Sequence, residues 1–139
     1  MGHKQSRLTI ETQGQGLYEF TRELVAFCLG SKISVGLVTV FCQHTSASLT
    51  IQENADPDVI RDLNDVFRRM VPEDASLYRH TAEGPDDMPA HIRSALTDVS
   101  LSIPVSDGRP VLGTWQGIYL FEHRTHRHSR NVVLHISGD

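Results

Sequence analysis

The chain has 139 residues, 39% of them hydrophobic and 22% charged, with a formal net charge of -4. That length suits one domain, residues 1–139, able to bury its own core, and the composition is globular rather than disordered. The acidic balance excludes a broad basic face for nucleic acid, no apolar run approaches the ~20 residues that span a bilayer, and Met1–Arg7 lacks the apolar stretch of a secretory leader, so a cytoplasmic location is expected.

Taken in chain order, Ser6–Thr12 alternates apolar and polar residues and predicts a first strand. Leu17, Phe20, Leu24, Phe27 and Cys28 then recur at helical spacing, with Gly30 as the expected stop. Gly36–Gln43 and Ser48–Gln52 are rich in β-branched and aromatic residues and predict two strands joined around His44-Thr45-Ser46-Ala47. Asp56-Pro57 is a cap followed by a first-turn proline, and Val59, Ile60, Leu63, Val66, Phe67 and Met70 form the apolar stripe of the helix it opens. Pro72 ends that helix, and Asp86–Pro89 opens another running to about Leu96. The remainder reads as strand: Val99–Val105, a tight turn at Asp107-Gly108, Leu112–Glu122 and Asn131–Ile136. About three helices among strands, in no βαβα alternation, predict a single α+β domain with a largely antiparallel, sandwich-like sheet. Cys28 and Cys42 sit in apolar runs and are expected as free, buried side chains.

Three polar segments carry the candidate chemistry. In His44–Asp56, His44 lies in a turn at a strand end, where a ring nitrogen can ligate a metal or carry a proton. Glu53 and Asn54 would come back beside it if the two flanking strands pair, while Asp56 reads as a helix cap. In Tyr78–Ile92, Asp87 and His91 are four residues apart on one helix face, an arrangement that serves a metal or orients a histidine base, with His80 in a loop able to fold back. No HExxH or paired CxxC signature is present. In Gly113–Arg130, strand alternation places Gln116, Ile118, Leu120 and Glu122 on one face, so two polar residues book-end apolar ones. Trp115 is expected more as a core or subunit contact than as a platform for a ligand ring. Arg124 and Arg130 offer guanidinium forks for phosphate, while His126 and His128 read as loop residues.

The segments HTSASLTIQENADPDV, YRHTAEGPDDMPAHI and LGTWQGIYLFEHR, in that order and spacing, resemble the YjbQ family, sometimes labelled secondary thiamine-phosphate synthases. The resemblance covers nearly the whole chain. It implies a YjbQ-like α+β domain that assembles as a homotrimer, with sites near subunit boundaries. It also implies recurring residues at His44, Glu53, Asn54, Asp56, His80, His91, Gly113, Trp115, Gln116 and Glu122. The activity it implies is a weak thiamine-phosphate synthase, joining a pyrimidine pyrophosphate to a thiazole phosphate with release of pyrophosphate.

Three functional expectations follow. As a transferase, His44, His91 and Glu122 would be catalytic. Glu53, Asn54, Trp115, Gln116, Arg124 and Arg130 would then hold a phosphorylated small molecule. Glu53, Asp86 and Asp87 would hold magnesium to neutralise the departing pyrophosphate. As a transition-metal protein or hydrolase, His44, His80 and His91 would bind zinc with water in the fourth position. As a non-enzymatic trimeric ligand-binding protein, the same polar residues would fix subunit contacts.

Overall fold

The computed structural model describes residues 1–139. Its elements run β1 (Gly2–Gln13), β2 (Gly16–Glu19), α1 (Thr21–Ser31), β3 (Gly36–Cys42), β4 (Ala47–Glu53), α2 (Pro57–Met70) and α3 (Asp87–Leu96). The chain ends with β5 (Ser100–Ser106), β6 (Arg109–Pro110), β7 (Gln116–Glu122) and β8 (Arg127–Gly138). A single 3-10 turn occupies Ala75–Leu77 between α2 and α3.

The strands form two sheets with every pairing antiparallel, one ordered β1-β8-β3-β5-β6 and the other β2-β7-β4. This is the α+β, sandwich-like architecture expected from the element order. Strand alternation supplies the core: Val38, Val40 and Cys42 of β3, Ile103 and Val105 of β5, and Val132, Leu134 and Ile136 of β8 turn inward from the larger sheet. Ala47 and Leu49 of β4 and Ile118 and Leu120 of β7 meet them from the smaller one, and Phe20, Leu24, Phe27 and Cys28 close the core beside α1. Both cysteines are buried and free. On the outer face of the smaller sheet, Phe67 of α2 packs edge-on against Phe121, ring centroids 5.1 Å apart. No helix is long and apolar enough to cross a membrane.

Several local expectations are corrected. The helical spacing that includes Leu17 is broken, because Gly16–Glu19 pairs as a strand with Tyr119–Glu122 and the helix begins only at Thr21. Gly30 lies inside α1, which ends at Lys32 in the left-handed region (φ 62°), its N–H bonded to the Leu29 carbonyl. The strand expected from Leu112 starts at Gln116, and β8 begins at Arg127, so His128 is in a strand rather than a loop.

The correction with most consequence concerns β3 and β4. They do not pair with each other: β3 lies between β8 and β5, whereas β4 pairs only with β7 in the other sheet. The segment Gln43–Ser46 is therefore a corner that carries the chain between sheets, and His44 sits on it. Other expectations hold. The Asp56 side chain accepts the Asp58 amide at the start of α2, and Asp107 (φ 51°) and Gly108 (φ 76°) form the tight turn between β5 and β6.

Candidate functional site

The second polar segment folds into the most concentrated chemistry of the molecule. Asp86 and Asp87 open α3, but neither acts as a simple cap: Asp86, at the cap position, makes no side-chain bond to the helix. Both carboxylates instead turn toward the loop after β7. Arg124 Nε donates to Asp86 Oδ2 at 2.8 Å and Arg124 Nη1 to Asp87 Oδ1 at 2.7 Å, while the Thr125 amide also donates to Asp86 Oδ2 at 3.0 Å. Burial works against the ionised Asp86, but the Arg124 guanidinium and the Thr125 amide outweigh it and hold the carboxyl well below the usual carboxylate range. The clamp fixes where α3 begins and so aims the far oxygen of Asp87.

That oxygen, Asp87 Oδ2, lies 2.6 Å from His80 Nε2 and 3.2 Å from His91 Nε2. The His80 and His91 rings stand edge to face with centroids 5.4 Å apart. Glu83 reaches in from the loop, its Oε2 3.2 Å from His80 Nε2. One ligating atom from each of His80, Glu83, Asp87 and His91 lies within 4.8 Å of all the others. The hydrogen bond to Asp87 raises the His80 pKa above its ordinary value. Burial opposes ionisation of Asp87, yet its contacts with His80 and Glu83 and the charge of Arg124 pull its pKa down.

His91 is held by its other nitrogen. Nδ1 lies 3.0 Å from the Thr45 carbonyl, which can only accept, so Nδ1 carries a hydrogen. Nε2 then faces Asp87 Oδ2, itself an acceptor, at 3.2 Å. A cation, proton or metal, has to lie between them for that approach to be favourable. A backbone carbonyl orienting a histidine in this way is a common support for a metal ligand.

His44 does not join this cluster. Its Nε2 accepts the Asn131 backbone amide at 2.8 Å, so the nitrogen best placed to ligate is already engaged. Of the zinc triad expected of His44, His80 and His91, two members converge, together with Asp87 and Glu83. His44 nevertheless faces the same cleft as His91, an open hollow of about 350 Å³ whose wall also includes Thr45, Ser94, Ala95, Thr97 and Val99. Burial and the Arg130 charge lower the His44 pKa and keep the ring neutral.

Glu122 and Arg130, expected as catalytic and substrate-binding groups, pair with each other in the interior. Glu122 shares the inward face of β7 with Ile118 and Leu120, and Arg130 shares that of β8 with Val132, Leu134 and Ile136. Two charges pointed into one sandwich have to neutralise each other. Arg130 Nε donates to Glu122 Oε1 at 2.7 Å, Thr12 Oγ to the same oxygen at 2.6 Å, and the Arg124 amide to Oε2 at 3.1 Å. Both side chains are buried, and although burial favours the neutral acid, the Arg130 and Thr12 contacts pull the Glu122 pKa down. Arg124, the other expected phosphate ligand, is committed to Asp86 and Asp87.

Glu53, Asn54, Trp115 and Gln116 lie at the opposite end of the β4–β7 ladder. Ala47 pairs with Glu122 at one end and Glu53 with Gln116 at the other, six residues and roughly 20 Å along the strand. There Gln116 accepts the Gly113 amide at 2.7 Å, Glu53 accepts the Asp56 amide at 3.2 Å, and Asn54 donates to Glu19 at 3.0 Å. Trp115, expected as a core or subunit contact, is 63% exposed and so lies outside this chain's core. The residues of the three polar segments thus fall in two places within a single chain.

Sequence reasoning missed Glu83, whose position three residues after His80 was the available signal, and His123. The latter is buried, its Nε2 2.8 Å from Ser48 Oγ, and burial with the nearby Arg93 charge pushes its pKa down to about 3.

The fold and this cluster define a class: a small antiparallel sandwich with a histidine–carboxylate centre at the start of one helix. The YjbQ family model, UPF0047 protein YjbQ-like, matches residues 6–139. The UPF0047 protein sll1880 of Synechocystis sp. is 56% identical over 97% of this chain and 92% of its own length. The UPF0047 protein YjbQ of Escherichia coli O157:H7 is 42% identical over 97% and 98%. A solved YjbQ/UPF0047 family protein from Clostridium acetobutylicum superposes with a TM-score of 0.87 at 33% identity, covering 95% of this chain and 99% of that one. The chain belongs to the YjbQ family.

Proposed function

We propose that this chain is a metal-binding YjbQ family protein that holds a divalent transition metal through His80, Asp87 and His91, with Glu83 as a fourth donor. We propose further that it receives a small phosphorylated molecule in the cleft between His91 and His44. The observation that carries the reading is the convergence of His80 Nε2, His91 Nε2 and Asp87 Oδ2 while His91 Nδ1–H is tied to the Thr45 carbonyl. Two imidazoles with carboxylate suit zinc; magnesium, which prefers an all-oxygen shell, is disfavoured. A zinc ion held by these residues would supply Lewis-acid chemistry and would lower the pKa of a bound water to about 7. The residues themselves do the rest: Arg124 fixes Asp87, the Thr45 carbonyl fixes His91, and the cleft wall admits the ligand.

Elemental analysis of untagged protein tests this, with near-stoichiometric zinc or nickel expected. Metal-free protein whose melting temperature does not rise on adding zinc would overturn it.

The family-derived reaction is retained as the candidate chemistry of that cleft. Both arginines available for phosphate are paired with carboxylates, so the charge of a departing pyrophosphate would fall to the metal centre and to His44. Release of pyrophosphate from the pyrimidine and thiazole substrates, lost in His91→Ala, is the expected result. Equal release by the variant would remove the reaction from this site.

Assembly as a homotrimer belongs to the same proposal, supported by exposed Phe41, Leu37 and Val99. Light scattering should give three times 15.5 kDa. If His80→Ala and His91→Ala fell to monomers, the non-enzymatic reading, in which these residues fix subunit contacts, would take precedence.

A further inference from the structure

His44 owes its state to the end of a β-ladder. Cys42 pairs with Val132, so the next ladder position matches Gln43 with Asn131. The Gln43 amide does donate to the Asn131 carbonyl at 3.2 Å, but the return bond is not made by backbone. The chain turns toward the other sheet at this point, and the Asn131 amide donates instead to His44 Nε2 at 2.8 Å. The imidazole thus replaces the carbonyl that would have closed the ladder. A backbone N–H cannot accept, so Nε2 must keep its lone pair, and the neutral ring has its only hydrogen on Nδ1. Nδ1 has no partner within the chain, and His44 is half-buried on the wall of the cleft that His91 also lines.

We infer that His44 is a fixed hydrogen-bond donor, offering Nδ1–H to an anionic oxygen of the ligand, phosphoryl or carboxylate, and is neither a general base nor a metal ligand. Acting as a base would need a free lone pair, and the only one is held by the Asn131 amide. Ligating through Nδ1 would require removal of its hydrogen to give an imidazolate. What remains is donation, which a neutral, preoriented imidazole performs without reorganisation. A donor on one wall and a cationic centre on the other define a slot for an oxyanion. The inference rests on the metal-site proposal only for the ligand's class; the state of His44 follows from the ladder alone.

Two arms test it separately. Long-range 15N–1H correlation spectra of the zinc-loaded protein should show His44 as the Nδ1–H tautomer, and an Nε2–H tautomer would overturn the inference whatever metal is bound. Inorganic phosphate is then titrated into wild type, His44→Gln and His44→Asn, with zinc content measured in each. Gln can place its amide oxygen where Nε2 stood but leaves no donor at the Nδ1 position, so phosphate affinity should fall about ten- to a hundredfold with zinc content and melting temperature kept. Asn places an amide N–H near the Nδ1 position, so it should retain most of the affinity despite a lower melting temperature. Equal affinity in wild type and His44→Gln, or no phosphate binding by wild type, would overturn the donor role. Loss of zinc from wild type alone would instead count against the metal proposal.

Discussion

Three consecutive residues at the end of β7, Glu122, His123 and Arg124, feed two regions built from the same kinds of side chain. Glu122 turns into the sandwich, where Arg130 and Thr12 satisfy it. His123 is buried on the outer face of the smaller sheet against Phe121, with Nε2 on Ser48 and Nδ1 unpartnered. Arg124 turns outward to Asp86 and Asp87, and the cluster it steadies leaves His80 and His91 facing Asp87 with 43% and 32% of their side-chain surfaces exposed. In this closed region the Glu122 charge is neutralised by Arg130, and the buried His123 ring is held neutral by burial. In the open region one carboxylate oxygen is shared by two imidazoles, which suits an exchangeable cation. Residue type does not separate the two; the direction in which each side chain leaves its strand does.

Acid should break the closed region first. The folded-state pKa of His123 is about 3, below its unfolded value near 6.5, so the unfolded chain takes up the extra proton. Its contribution is complete at neutral pH and is lost as pH falls from about 6.5 toward 3, on the order of 5 kcal/mol in all. Urea titrations across that range should show it, and His123→Phe should flatten the profile. Next in size, Glu122→Gln strands the Arg130 charge and should cost about 3–5 kcal/mol, whereas Glu122→Gln combined with Arg130→Met should recover much of the loss. An equal loss in both variants would mean that packing, not charge, holds that end.

The open region should respond in metal affinity rather than in stability. His80→Ala should change stability by less than about 1 kcal/mol but lower zinc affinity by roughly a hundredfold or more, read by competition with a chelator. Because Asp87 raises the His80 pKa, protons compete for that nitrogen from above pH 6.5 downward. Zinc affinity should therefore fall with acid earlier than an isolated imidazole would dictate, with protons released on binding, which calorimetry in buffers of different ionisation enthalpy can count. The smallest effect belongs to neither region: Asp56→Ala removes the α2 cap and should cost about 1 kcal/mol, with metal binding unchanged.

The sequence by itself determined much of this protein. Period-two runs in β3, β5, β7 and β8, the Asp56-Pro57 helix start and the Asp107-Gly108 turn are local signals, because they depend on backbone geometry and side-chain direction alone. So is the i, i+4 spacing of Asp87 and His91. The parity that aims Glu122 inward was equally readable, and the same parity aims Arg130 inward, although their meeting was not. Only the tertiary structure decided that β3 and β4 belong to different sheets, which removes Glu53 and Asn54 from His44 and puts His44 on a corner. It also decided that Arg124 reaches across to α3 and that the Asn131 amide occupies His44. These are contacts between residues tens of positions apart, fixed by which strand lies beside which, and no spacing along one chain encodes that neighbour relation.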